Sequence, residues 1–347
     1  IEAHPETHYT TGPKDVFFIN KLGNLCSMNQ YHFNGGPIRI AGQLVNASLD
    51  GGLLYADDKL FYIGSDSKLY YLEWIGSAGW IKSPALGAAN PNSELTEGNN
   101  RLYFQGTDNK IRFLEFSTWT SNLVSTSAFP AKSGTDIIFR NGKVYYITFF
   151  HKIKYLYWTP IGWKPSGNLG PVLSSQSNLT ASTNNLYCVN DDHQMCSMSF
   201  STNAHHVISE SAEKVINGGD IKWIDNRLFY VGKTKGRIHY FVWERINDWE
   251  NYQFQDGYRQ DVIFDPYGKY KWSLPWEGTQ FCETKDKEIL FADKTSSRVY
   301  YFRSPINLVA TNVLNPLNKP GWDLVDNMSE EFSSRYSPSN IVEPDNW

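Results

Sequence analysis

Cysteine and methionine are scarce in this chain, at four residues each in 347. The cysteines, Cys26, Cys188, Cys196 and Cys282, are too few for a disulfide framework and stand at no zinc-ligand spacing. Charge is nearly balanced, with a net of −4 and no block of Lys or Arg. That removes any broad attraction to phosphate backbones or anionic lipid, and nucleic acid is not an expected partner. No apolar run approaches the roughly 20 residues of a membrane-spanning helix. The opening "IEAHPETHYTTGPKD" has neither the positive nor the apolar region of a signal peptide, and its start at Ile predicts a mature, processed chain. Catalytic signatures are missing too. There is no Gly-rich phosphate loop, HExxH, GxSxG or EF-hand loop, and the eight histidines, His205 and His206 among them, do not fall at ligand spacing.

What the chain has instead is aromatic side chains, 15% of it, and a repeat. "KLFYIGSDSKLYYLEW", "RLYFQGTDNKIRFLEF" and "KVYYITFFHKIKYLYW" are three readings of one hairpin, each 42 residues after the last. The first apolar residues of such strands are Val16, Leu60, Leu102, Val144, Leu186, Leu228 and Ile289, so the steps are 44, 42, 42, 42, 42 and 61. A second series follows each anchor by nine or ten residues, at Leu25, Leu69, Ile111, Ile153, Met195, Ile238 and Val299. A third precedes it by seven, at Leu53, Leu95, Ile137, Leu179, Ile221 and Cys282. The alternation inside these runs has a period near two, as strands require. After each hairpin an aromatic recurs, Trp74, Phe116, Trp158, Phe200 and Trp243, followed by Trp80, Trp119, Trp163 and Trp249 at the corner into a fourth strand.

Four short antiparallel strands in about 42 residues make the blade of a β-propeller. The expected fold is therefore all-β: one seven-bladed propeller filling residues 1–347. Its repeats lie near 16–52, 53–94, 95–136, 137–178, 179–220, 221–281 and 282–323, with an insertion at 250–280. A sheet edge left open at the ends of the ring is a liability. "GWDLVDN", residues 321–327, stands where the missing first strand belongs, since Leu324 follows Ile289 by 35. It is expected to pair with the strand starting near Val16, leaving residues 328–347 as a tail.

Three sets of residues are candidates for function. The residue before each first-strand anchor faces the axis of a propeller, which brings Glu94, Asp136, Asp220 and Asp323 into one channel. Gathered carboxylates repel unless a cation or water relieves them, so a channel cation is one expectation and solvated walls the other. The corner tryptophans Trp74, Trp80, Trp119, Trp158, Trp163, Trp243 and Trp249, with Arg112 and Glu115 beside them, offer sugars a flat face and polar partners. The competing reading is that these rings fill the wedges between blades. Sequons at Asn46, Asn178 and Asn327 suit a secreted glycoprotein, and Cys188 and Cys196 flank one hairpin turn at a spacing that allows a local disulfide.

The blade pattern of "RLYFQGTDNKIRFLEFSTW" and "KLFYIGSDSKLYYLEWIGSAGW" resembles the repeats of propeller lectins, namely the fungal fucose-binding lectins and the seven-bladed Photorhabdus type. The resemblance spans nearly the whole chain and implies several shallow sugar sites between blades without catalysis. The fungal lectins pair an Arg opening one strand with a Glu in the next, whereas spacing here sets Arg101 against Phe113. The leading expectation is a secreted, non-enzymatic protein that binds glycans. The alternatives are an enzyme or a cofactor- or metal-binding propeller with an axial site under the 250–280 loop, and an extracellular interaction scaffold.

Overall fold

The computed structural model describes residues 3–4, 7–29, 35–208, 214–224, 227–233, 238–242, 281–283, 288–292 and 299–303. These form antiparallel sheets with hardly any helix, a single 3-10 turn at Gly76–Ala78. Sheet one is Thr10–Thr11, Asp15–Ile19, Leu25–Asn29 and Gly35–Pro37. Sheet two is Leu53–Ala56, Lys59–Ile63, Lys68–Trp74 and Trp80–Lys82, with Gly87–Ala88 also on its third strand. Sheet three is Thr96–Gly98, Arg101–Gln105, Ile111–Glu115 and Thr120–Leu123; sheet four is Ile137–Arg140, Lys143–Ile147, Ile153–Thr159 and Gly162–Pro165. Sheet five is Thr180–Ala181, Asn185–Val189, Met195–Ser199 and His205–Val207. Three strands each are described for sheet six, Ile221–Ile224, Arg227–Val231 and Ile238–Val242, and sheet seven, Phe281–Glu283, Glu288–Ala292 and Val299–Arg303. The architecture is that of a β-propeller.

Burial explains why the second strands read as the most apolar. In sheets one to five that strand has one half-buried residue and then four buried ones, because neighbouring sheets cover both of its faces. The core is accordingly a series of wedges, each shared by two successive sheets. Phe17, Leu53, Tyr62 and Leu72 pack between sheets one and two, and Phe61, Leu69, Leu102 and Phe104 between two and three. Each half-wedge buries its apolar surface only when the next sheet is present. A hydroxyl stitches successive elements together in four of the units. Thr7, Ser93, Thr135 and Ser177 accept hydrogen bonds of 2.7 to 3.1 Å from the backbone N–H of Ile19, Gln105, Ile147 and Val189, twelve residues on in every case.

The closing strand differs from expectation. Thr10–Thr11 pairs with Asp15–Ile19 on the edge that residues 321–327 were expected to take, and Leu25–Asn29 fills the other edge. Both edges of that strand are therefore occupied from within the N-terminal segment, while 321–327 lies outside the described residues. The inner strand Thr10–Thr11 lies beside both Leu53–Ala56 and Phe281–Glu283.

Candidate functional site

The corner tryptophans divide into two kinds. Trp80 meets Phe17 of sheet one edge-on at 5.8 Å, Trp119 stacks on Phe61 of sheet two at 6.3 Å, and Trp163 meets Tyr103 of sheet three edge-on at 6.2 Å. Phe200 does the same against Tyr145 of sheet four at 5.1 Å. Each of these rings closes the wedge against the second strand of the preceding sheet, so for them the packing role holds. Trp74 and Trp158 are different. They remain 57% and 60% exposed, each standing edge-on to the half-buried Trp of its own corner, at 5.4 and 5.8 Å. The expected corner pair thus resolves into one anchored ring and one presented ring. Trp243 and Trp249 lie outside the described residues.

A cation recurs beside this aromatic rim, one residue ahead of the second-strand anchors of sheets two, three and four. Lys59 lies 5.7 Å from the Tyr71 ring and 5.4 Å from Trp119, with Glu73 at 3.8 Å and Asp57 at 3.4 Å. Arg101 covers the Phe113 ring at 4.6 Å and donates from Nε and Nη2 to Glu115 Oε1 at 3.0 and 2.8 Å. Lys143 sits 4.4 Å over Tyr155. The register pairs Arg101 with Glu115 and Tyr103 with Phe113, so the expectation that Arg101 stands opposite Phe113 is corrected. A guanidinium opening one strand does meet a glutamate on the next, because the five residues between Gln105 and Ile111 set the hairpin two positions further along. Arg112, expected in the same group, points instead to Asp108 at 3.1 Å on the other face of its strand. Alternation along the strand separates Arg112 from its neighbours Ile111 and Phe113.

Between sheets three and four these parts converge: Arg101, Glu115 and Phe113 on one side, Trp163 and Trp158 on the other. Both Arg101 bonds end on Oε1, and Glu115 Oε2 accepts no hydrogen bond among the described residues. Two buried polar atoms in the same wedge, Tyr103 Oη and Trp163 Nε1, have no partner of normal geometry. Burial raises the Tyr103 hydroxyl above its usual range, and the neighbouring Arg101 charge offsets that in part. Such an interface offers an apolar ring face, a fixed cation and an open carboxylate oxygen within one cleft, which is the chemistry that a polyol with an apolar face satisfies.

At the axis the structure adds a residue that the spacing analysis passed over. His8 precedes Val16 by eight, the same offset that selects Glu94, Asp136 and Asp220, but the expected closing strand had assigned that place to Asp323. His8 Nδ1 lies 2.6 Å from Glu94 Oε1, bridging sheet one to sheet three past Gly52, whose position has no room for a side chain beside Glu94. Asp136 accepts a hydrogen bond from the Leu179 N–H and Asp220 from the Phe281 N–H, the latter at 2.8 Å. The carboxylates therefore tie sheet three to sheet one, sheet four to sheet five and sheet six to sheet seven, and among the described residues no three His, Cys, Asp or Glu side chains gather as a metal site. Asp323, the fourth residue expected to line the channel with Glu94, Asp136 and Asp220, lies outside the described residues.

These groups titrate against one another. Burial, then the Glu94 and Asp220 charges, push Asp136 up to about 8. Burial also raises Asp220, with Lys222 and the Phe281 N–H opposing. For His8, burial favours the neutral form, but the charges of Glu94, Asp136 and Asp220 together outweigh it and the imidazole is held above its ordinary value. Glu94 is likewise desolvated, yet His8 keeps it below the usual carboxylate range.

Two smaller expectations resolve simply. Cys188 and Cys196 are directly opposite each other in sheet five, as their spacing suggested, but both are buried free thiols, with Cys196 Sγ directed at the Gln194 carbonyl at 3.8 Å. Asn46 is exposed, whereas Asn178 is half-buried at the axial position of its unit, and Asn327 lies outside the described residues.

No family model matches this chain, and no curated protein does. Among solved structures it is similar to a streptogramin B lyase, at 14% identity and a TM-score of 0.56 over 85% of this chain and 92% of that one. It is also similar to Hsv2 of Kluyveromyces lactis, at 12% identity and a TM-score of 0.54 over 87% and 93%. At such identity these likenesses establish the propeller fold alone. A variant of AofleA from Arthrobotrys oligospora, at 16% identity and a TM-score of 0.48 over 70% and 85%, is too distant to bear on function.

Proposed function

We propose that this protein is a secreted, non-catalytic glycan-binding propeller, a closed ring of seven blades with sugar clefts between blades on its aromatic rim. The observation that carries this reading is the recurrence, at 42-residue intervals, of a cation on an aromatic ring with a carboxylate two positions further on: Lys59, Tyr71 and Glu73, then Arg101, Phe113 and Glu115. The second of these is the arginine–glutamate arrangement of the lectins that the blade pattern resembles. Seven sheets of three or more strands among the described residues, with the first inner strand beside the last, support the closed ring. Clefts repeated around a ring give avidity from weak single sites.

The axial reading is less favoured because its carboxylates already serve backbone N–H groups and His8. A glycan array followed by titration calorimetry tests the proposal. Binding that falls at least about tenfold in Arg101→Ala and Glu115→Gln, with the melting temperature held, is the expected result. An array with no glycan bound, or binding that both variants retain, overturns it.

A further inference from the structure

Five hairpin turns on one face of the propeller share a single backbone design. The residue at its start and the one four further on exchange a hydrogen bond, as in Gly64 to Lys68, Gly106 to Lys110, Thr148 to Lys152 and Asn190 to Gln194, and the residue before the last adopts positive φ. Two residues at the tip are left to solvent by that geometry. They are Lys21 and Leu22, Ser65 and Asp66, Thr107 and Asp108, and Asp191 and Asp192 in four of the turns, so at least one is charged in each. In sheet four both are phenylalanine, Phe149 and Phe150, exposed by 69% and 64%. The turn closes equally well without them, so the fold does not account for the pair.

A third ring joins them. Phe129, 45% exposed on the connecting segment, meets Phe150 edge-on at 6.2 Å, and Phe149 meets Phe150 at 5.8 Å. The Phe149 N–H bonds the Pro130 carbonyl, holding turn and segment together. Under the rings lie cations: Lys154 Nζ is 4.4 Å from Phe129, and Lys152 ends the turn. Residues 137–190 contain no Asp or Glu at all but five Arg and Lys, in a chain whose 36 acids would place about six there. The overall charge of −4 conceals this sector. The nearest acids in neighbouring turns are Asp191 and Asp192, and Asp108, which Arg112 engages.

We propose that this tip docks on an anionic lipid bilayer, the three phenylalanines entering the headgroup boundary while Lys152 meets the lipid phosphates and carboxylates. A convex wedge of rings needs a complementary pocket on a protein partner, but a bilayer interface accepts it without one. Basic side chains beside inserted rings supply the charge complementarity, and attachment of this kind requires no spanning segment.

The test is co-sedimentation of the full chain with vesicles of phosphatidylcholine alone and with added phosphatidylserine. The protein is expected to sediment with the anionic vesicles, to remain largely in solution with the neutral ones, and to lose binding by at least about tenfold in Phe149→Ser/Phe150→Ser. Lys152→Glu weakens binding less and steepens nothing in neutral vesicles, while thermal melting shows both variants folded. A wild-type protein that stays in solution with both vesicle types overturns the proposal. So does a concentration-dependent dimer in light scattering that the same double substitution abolishes, since the patch then meets a second copy. Retention of wild-type binding by the folded double variant overturns it as well.

Discussion

The wedge between sheets three and four and the axial cluster are both interior, yet they hold the propeller together by different physics. The wedge is made of rings: Tyr103 stacks on Phe139 at 5.4 Å, Trp163 closes it from the next corner, and only Arg101 and Glu115 at its rim carry charge. The axis is made of charge, with His8 on Glu94 and two further carboxylates on backbone N–H groups. Apolar contacts in a wedge are indifferent to pH, whereas each axial contact depends on who holds the proton. A propeller that can lose its axis gradually and its wedges only abruptly should reveal the contrast in stability measurements.

Tyr103→Ala breaks the wedge and is expected to have the largest effect. The side chain is fully buried and stacked, and its loss costs about 3–5 kcal/mol, read from urea unfolding at constant slope. His8→Ala breaks the axis by leaving Glu94 without its partner. Because both side chains keep some contact with solvent, at 15% and 19%, the cost is smaller, about 2 kcal/mol, and the slope is unchanged.

The pH dependence sharpens the comparison. Asp136 and Asp220 are raised in the folded protein, so they bind protons that the unfolded chain has released, and their contribution declines as pH rises above the ordinary carboxylate value, for Asp136 toward about 8. His8 is raised as well, so its contribution is complete below its ordinary value of 6.5 and is lost as pH climbs through the folded one. Glu94 is lowered, and its contribution disappears only on acidification below 4.5. Thermal stability should therefore be highest in mildly acidic solution and fall toward pH 8, and Asp136→Asn should flatten that fall. A melting temperature that rises between pH 5 and pH 8 would refute the assignment. The smallest effect is expected at the presented rings: Trp74→Ala and Trp158→Ala change stability by less than about 0.5 kcal/mol in the same urea assay, since both are mostly exposed.

Much of this was legible from spacing. A 42-residue period with alternating apolar positions located every described second and third strand, since a strand covered on both faces cannot avoid being apolar. The axial set was legible as well, but His8 was missed because its unit's inner strand is only Thr10–Thr11, too short and too polar to show a pattern. The pairing of Arg101 with Glu115 was missed for a related reason. Register depends on how many residues the turn absorbs, and a shift by two positions preserves the face while changing the partner.

By itself, then, the sequence determined the repeating unit, its strands and the faces they bury, because local periodicity encodes which side of a strand is covered. Only the tertiary structure decided which tryptophan of a corner is anchored and which presented, that Asp136 and Asp220 accept backbone N–H groups while Glu94 meets His8, and that the first unit completes its own inner edge. Those outcomes depend on distances between residues from different repeats, and a one-dimensional pattern carries no such distances.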